Sequence, residues 1–258
     1  SAARAARLAT IVEPVLAQWR DCNPETGEPG GGPDATVMRH LNHPEYFSQE
    51  RRADLVDLLQ TVADPAVLDV CGAILGAEPL FRCTSLFMNP QNGSKDGNWH
   101  RDSQFHHPDE EQEKQAIAAG GDLGRSVQLQ VALVPSDDVE VVPGSHRRWD
   151  TEAEYVIRRA DGQKNNRSNA MPGALRVALG AGDAVAFNPL ALHRGRYHAD
   201  RPRRTLMLTY TAAAHPRFDY FSNQPWFDAE GYLEGLDEHT SAFFEDFVDR
   251  YGNDWRAK

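Results

Sequence analysis

Apolar residues recur at helical spacing near both ends of the chain and at strand spacing between them. Leu8, Ile11, Val12, Val15 and Leu16 share one side of a helix predicted over residues 2–20. Leu55, Leu58, Leu59, Val62, Val67, Val70 and Ile74 carry the same spacing over 48–76, and Pro65 predicts a break into two helices. Between these helices, the Pro- and Gly-rich residues 23–33 read as a loop. Near residue 79 the period shortens to two. Strands are predicted at roughly 80–89, 97–105, 127–134, 139–142, 174–179, 183–188 and 203–212, bounded by Gly, Pro, Asn or Asp. Longer segments interrupt them at 106–126 and 147–172. Helical spacing returns over 228–252 with Tyr232, Leu233, Leu236, Phe243, Phe244, Phe247 and Tyr251. This order predicts an α+β fold in which terminal helices back a β-sandwich or jelly roll. Residues 1–258 are expected to form a single domain with its core at about 80–212.

Composition narrows the function. With 27 basic and 38 acidic side chains the net charge is −11, the wrong sign for a general nucleic-acid binder. A chain of 258 residues buries about 70–75% of its unfolded surface and needs no covalent staple. Its three cysteines give neither a disulfide framework nor a zinc pattern. Cys71 and Cys83 are expected in the core and Cys22 exposed. No run approaches about 18 consecutive apolar residues, so no membrane partner is expected. The expectation is a soluble protein of a reducing compartment, the cytoplasm.

Ten histidines direct attention to metal chemistry. Residues i and i+2 of a strand face the same way, so a His-x-Asp pair can grip one ion. Such a pair more often marks a surface turn, and three occur here. His107-Pro108-Asp109 runs into the charged residues 110–114, and its proline opposes a central strand. His198-Ala199-Asp200 precedes Arg201-Pro202-Arg203-Arg204 and reads as a turn. His100-Arg101-Asp102 alone lies among strand formers, between Trp99 and Phe105. A non-haem iron centre takes two histidines and a carboxylate on one face of the metal. The run 182–193, a turn and a strand with a histidine at its far end, offers His193 as the third ligand. Alternation places Arg204 on one face with Leu206, Leu208 and Tyr210. An arginine within an apolar face requires an anion, and its fork suits a carboxylate. The alternatives turn Arg203 inward, or leave both arginines on the surface.

Taken in order, His100-x-Asp102, Val142-Pro143-Gly144-Ser145-His146, Gly182-Asp183, His193 and Arg204 resemble the phytanoyl-CoA dioxygenase family over roughly residues 80–212. That family belongs to the Fe(II)- and 2-oxoglutarate-dependent oxygenases. The resemblance implies a double-stranded β-helix (a cupin-like jelly roll) with helices packed outside. It implies Fe(2+) held by His100, Asp102 and His193, with the distal carboxylate of 2-oxoglutarate on Arg204. A small-molecule substrate would be hydroxylated with O2, releasing succinate and CO2. Halogenases of the superfamily carry Gly or Ala where Asp102 stands, so the carboxylate favours hydroxylation or a related oxidation.

Gln128 and Gln130 alternate with Val127, Leu129, Val131 and Leu133, and Gln128 is favoured to orient the co-substrate carboxylate or the substrate. His146 is assigned a structural role. Trp99, Phe105 and Tyr210 are candidates to line the pocket, while the aromatic group from Phe218 to Phe227 is expected to dock the C-terminal helix. Arg158, Arg159, Lys164 and Arg167 read as a solvated loop. Two departures from the family pattern affect the rim. Residues 136–141 replace the usual Glu-Asn-Gly-x-Leu stretch, and Gly195 stands where a small hydroxyl residue often follows the distal histidine. Two other readings compete: a cupin-type metal enzyme with no need of 2-oxoglutarate or Arg204, and a β-sandwich binding protein without turnover.

Overall fold

The computed structural model describes residues 1–22 and 31–257; the Cys22 side chain and residues 23–30, most of the stretch expected as a loop, lie outside the described residues. The helices are α1 (Ala2–Cys22), α2 (Arg52–Val62), α3 (Pro65–Leu75), α4 (Ser103–His106), α5 (Glu110–Ala119), α6 (Glu152–Arg158), α7 (Ala160–Gln163) and α8 (Glu238–Arg256). The strands are β1 (Val37–Arg39), β2 (Pro79–Phe87), β3 (Lys95–Asp96), β4 (Ser126–Ala132), β5 (Ser136–Val141), β6 (Leu175–Leu179), β7 (Ala184–Phe187), β8 (His193–Tyr197) and β9 (Thr205–Ala212). They form two antiparallel sheets, ordered β1-β2-β9-β4-β7 and β3-β8-β5-β6.

Alternation gives the larger sheet two chemically different faces. Leu86, Val127, Leu129, Leu206, Leu208 and Tyr210 point outward into the main core. There they meet Ile11, Val12 and Val15 of α1, Leu55, Leu58 and Leu59 of α2, and Phe244, Phe247 and Tyr251 of α8. The opposite face is polar. Cross-strand register sets Cys83, Thr209 and Gln128 in one row, and Arg39, Ser85, Met207 and Gln130 in the next. These rows face the smaller sheet across the pocket. A register shift between Phe81 and Cys83 inserts Arg82 as an extra residue, and its side chain joins the pocket lining.

The structure redraws several expected elements. The predicted strand 97–105 does not form: the short β3 ends before it, and within it a single bridge of His100 to His193 is followed by the helical turn α4. Asp102 adopts helical angles (φ −64°, ψ −23°), and its N–H donates to the Pro189 carbonyl. His193 opens β8 rather than ending the strand before it. The sequence of β8, His-Arg-Gly-Arg-Tyr, hides its strand character because ion pairs rather than apolar alternation bury its arginines. Arg194 pairs with Glu140 at 2.5 Å, and Arg196 with Asp96 at 2.5 Å. The C-terminal helix starts at Glu238, ten residues later than the spacing indicated, capped by the Asp237 carboxylate on the Thr240 N–H.

The stretch 49–75 is apolar and long enough by composition to cross a membrane, but here it divides at Ala63–Asp64 into α2 and α3. Asp64 caps α3, with Pro65 in its first turn. Cys71 and Cys83 are both buried and free. Burial pushes their thiols up, to about 12 and about 11.

Candidate metal centre

His100 and His193 come together because the segments carrying them pair with each other. The His100 N–H donates to the His193 carbonyl and the reverse, both at 3.0 Å. The rings lie 4.2 Å apart between centroids. Each Nδ1 meets a backbone carbonyl two residues upstream: His100 with Asn98 at 2.7 Å, His193 with Ala191 at 2.9 Å. Those contacts hold a proton on Nδ1 and leave Nε2 as the free lone pair. Both Nε2 atoms face Asp102 Oδ1, at 3.7 and 3.6 Å. Burial, reinforced by the neighbouring His100, lowers the His193 pKa to about 4, keeping its ring neutral and ready to ligate. Two imidazoles and one carboxylate converging in this way fit a facial iron(II) site.

The rest of the local structure holds this arrangement. Gln128 Nε2 donates to Asp102 Oδ2 at 2.6 Å, so the amide fixes a candidate ligand. Gln128→Leu is expected to weaken metal affinity by about 10- to 100-fold without loss of fold, as read by anaerobic iron titration. Behind the site, Arg101 is fully buried. Its guanidinium bonds Asp150 at 2.8 Å, the Ser145 carbonyl at 2.7 Å and the Leu190 carbonyl. Arg158, also buried, pairs with Asp150 at 2.6 Å and Glu113 at 3.1 Å. This network ties the His100–Asp102 turn to the segment entering His193.

The Pro143-Gly144-Ser145-His146 motif acts through its serine. Ser145 Oγ donates to the Val142 carbonyl at 2.7 Å and accepts from the Leu192 N–H at 2.8 Å, one residue before His193. Ser145→Ala would leave that N–H buried and unpaired, and is expected to cost about 2 kcal/mol in urea unfolding.

A cavity of 420 Å³ opens over the triad, within the usual range for small-molecule sites (about 300–1,000 Å³). His100, Asp102, His193, Gln128 and Gln130 all line it. Arg204 does not. It shares its face with Leu206 and Leu208 as the alternation required, but that is the helix-packed face. Its guanidinium pairs there with Glu13 of α1, at 2.7 and 2.9 Å. The inward arginine is Arg203, 1% exposed, stacked over the rings of Phe87 and Tyr197 at 5.2 Å each. Its Nη1 is buried without a hydrogen-bond partner, and the Asp138 carboxylate stands 3.8 Å from its Nε. Burial lowers its pKa, while Tyr197 and Asp138 oppose that shift.

Among the other candidates, Phe105 is exposed at the cavity edge, its ring 5.5 Å from that of His100. Phe221 also lines the cavity. Trp99 is instead packed behind the site with Val142 and Leu192, and Tyr210 lies in the helix-side core with its hydroxyl on the Val62 carbonyl. Phe227 packs against α8. Arg158 and Arg159 are not solvated, since Glu113 engages both. A second group of potential ligands, Asp137, Asp138 and His198, lies among Arg176, Arg201 and Arg203, whose charges disfavour a cation there.

The family model for phytanoyl-CoA dioxygenase matches residues 33–205, about two thirds of the chain. The chain belongs to the phytanoyl-CoA dioxygenase family. By that membership it is an oxidoreductase of the Fe(II)- and 2-oxoglutarate-dependent type. Solved structures agree on the fold. AviO1 from Streptomyces viridochromogenes Tue57 superposes with a TM-score of 0.57 at 18% identity, covering 85% of this chain and 89% of its own. EctD from S. alaskensis, solved with 2-oxoglutarate and 5-hydroxyectoine, gives 0.59 at 19% identity, covering 93% and 79%. No curated protein sequence matches significantly.

Proposed function

We propose that the chain, acting as one oxygenase domain over residues 1–258, hydroxylates a small-molecule substrate. One atom of O2 enters the substrate and the other enters succinate, as 2-oxoglutarate loses CO2. The observation that carries this reading is the convergence of His100 Nε2, His193 Nε2 and Asp102 Oδ1 on one point of the cavity wall, with the buried Arg203, whose Nη1 has no hydrogen-bond partner, in the same cavity. EctD, solved with bound 2-oxoglutarate on this fold, supports it.

His100, Asp102 and His193 would hold the iron, which with 2-oxoglutarate supplies the oxidising chemistry. Asp102 occupies the ligand place that a halide would need, which favours hydroxylation over halogenation. Gln128 keeps that carboxylate oriented. Arg203, rather than Arg204, would fork onto the distal carboxylate of 2-oxoglutarate, its positive charge held in a buried, stacked geometry.

The test is an anaerobic titration of the purified protein with Fe(II) and 2-oxoglutarate, followed by O2. A visible charge-transfer band on adding 2-oxoglutarate, then O2-dependent succinate, is expected. Absence of both rejects the reading.

A further inference from the structure

One wall of the cavity carries more positive charge than iron and 2-oxoglutarate need. Arg39 extends from β1, an edge strand of the larger sheet, and lines the cavity together with Arg82 and Arg217. Asp219 is the carboxylate that meets this group, and it is shared: it pairs with Arg82 and, at 3.1 Å, with Arg217. Arg82 is 3% exposed, and its Nε is buried with no partner. Arg39 has no carboxylate within 4.0 Å among the described residues. It donates to Ser85 Oγ at 3.0 Å, which positions it without neutralising it.

Its guanidinium lies over the rings of Phe87 and Phe221, at 5.7 and 5.3 Å, and Arg82 lies over Phe221 at 5.5 Å. Stacking of this kind holds a guanidinium flat while leaving its edge free to donate. Arg39 is also set apart from the iron ligands. Three strand spacings, about 14 Å in all, separate it in its row from Gln130 on β4. Met207 lies between them in that row, Val139 adds apolar surface to the cavity lining from the smaller sheet, and Phe105 stands at the cavity edge.

We propose that Arg39, backed by Arg82, binds an anionic group of the substrate, so that the substrate class is a small carboxylic acid or phosphate monoester with an apolar body directed at the metal. This rests on the oxygenase reading above and adds a second anion site to that of Arg203. Uncompensated guanidinium charge in a partly buried wall is costly, and a bound anion offsets that cost. A charge-assisted bond here corresponds to about a 10- to 100-fold preference for the anion over a neutral analogue.

The experiment uses the chain loaded with Ni(II), which binds without turnover, and saturated first with 2-oxoglutarate. Calorimetric titration then compares phenylacetate, phenyl phosphate and the neutral phenylacetamide. At least one of the two anions is expected to bind 10-fold or more tightly than the amide. Whichever anion wins identifies the substrate's group as carboxylate or phosphate. Arg39→Gln is expected to abolish the preference and Arg39→Lys to retain part of it. Circular dichroism reports whether each variant is folded, and its 2-oxoglutarate titration reports whether the co-substrate site is intact. Equal binding of anions and amide, no binding of any probe, or a preference surviving in Arg39→Gln overturns the inference and leaves the oxygenase reading standing. Loss of 2-oxoglutarate binding in a folded Arg39→Gln protein overturns it differently, by giving Arg39 the co-substrate. Failure of the unmutated chain to bind 2-oxoglutarate at all defeats the oxygenase reading itself.

Discussion

Arg203→Gln is expected to weaken 2-oxoglutarate binding by about 100-fold or more, whereas Arg204→Gln changes it by less than about 3-fold. The two residues are adjacent, yet the pleat sends their side chains to opposite faces of the sheet. Arg203 is buried in the cavity with Nη1 unpartnered, and the nearest carboxylate, Asp138, is already engaged by Arg201 at 3.0 Å. An incoming dicarboxylate therefore meets a preorganised donor. Removing a hydrogen-bonded partner from a buried charge pair costs about 2–5 kcal/mol, which sets the size of the loss. Arg204 instead pairs with Glu13, whose side chain is 54% exposed. A pair of that kind contributes about 1 kcal/mol or less, so its loss lowers the melting temperature slightly and leaves the cavity intact. Anaerobic titration followed by the charge-transfer band measures both variants. Strong loss in the Arg204 variant with none in the Arg203 variant would show that the face assignment is reversed.

Asp102→Ala is expected to lower iron affinity by about 1,000-fold or more and to abolish succinate formation. Loss of a direct ligand must exceed the 10- to 100-fold effect typical of groups that merely support ligands. The change also strands Gln128, whose amide donates to Asp102. The fold should survive. The reciprocal backbone bonds between His100 and His193 do not involve Asp102, nor does the Arg101–Asp150–Arg158 network. Circular dichroism checks the fold while calorimetry follows the metal. Wild-type iron affinity in the variant would displace the site from this triad, and the group of Asp137, Asp138 and His198 would be the next to mutate.

Much of this was legible along the chain because it is written in local periodicity and spacing. Period 3.6 located α1, α2 and α3, and period 2 located β2, β4, β6, β7 and β9, since one face of each must be apolar to meet the core. The short β8 escaped because charge pairing rather than apolar alternation buries it. His100, Asp102 and His193 stood out by type and order, and the structure brings the three together. It does so through a turn and a strand pairing, rather than through the strand geometry that the i, i+2 spacing indicated.

By itself, then, the sequence determined the class of fold, the family and the identity of the converging triad. It also determined that Arg204 lies on the same side as Leu206, Leu208 and Tyr210. Only the tertiary structure decided which side that is. Alternation defines two faces but carries no label saying which one the helices cover. The apolar row of β9 packs under α1 and the polar row faces the cavity, so Arg203 enters the site and Arg204 meets Glu13. The charge of −11 likewise gave no hint of a cationic cavity wall. Net charge sums over the whole surface, whereas the potential in a pocket depends on the few side chains that folding gathers there.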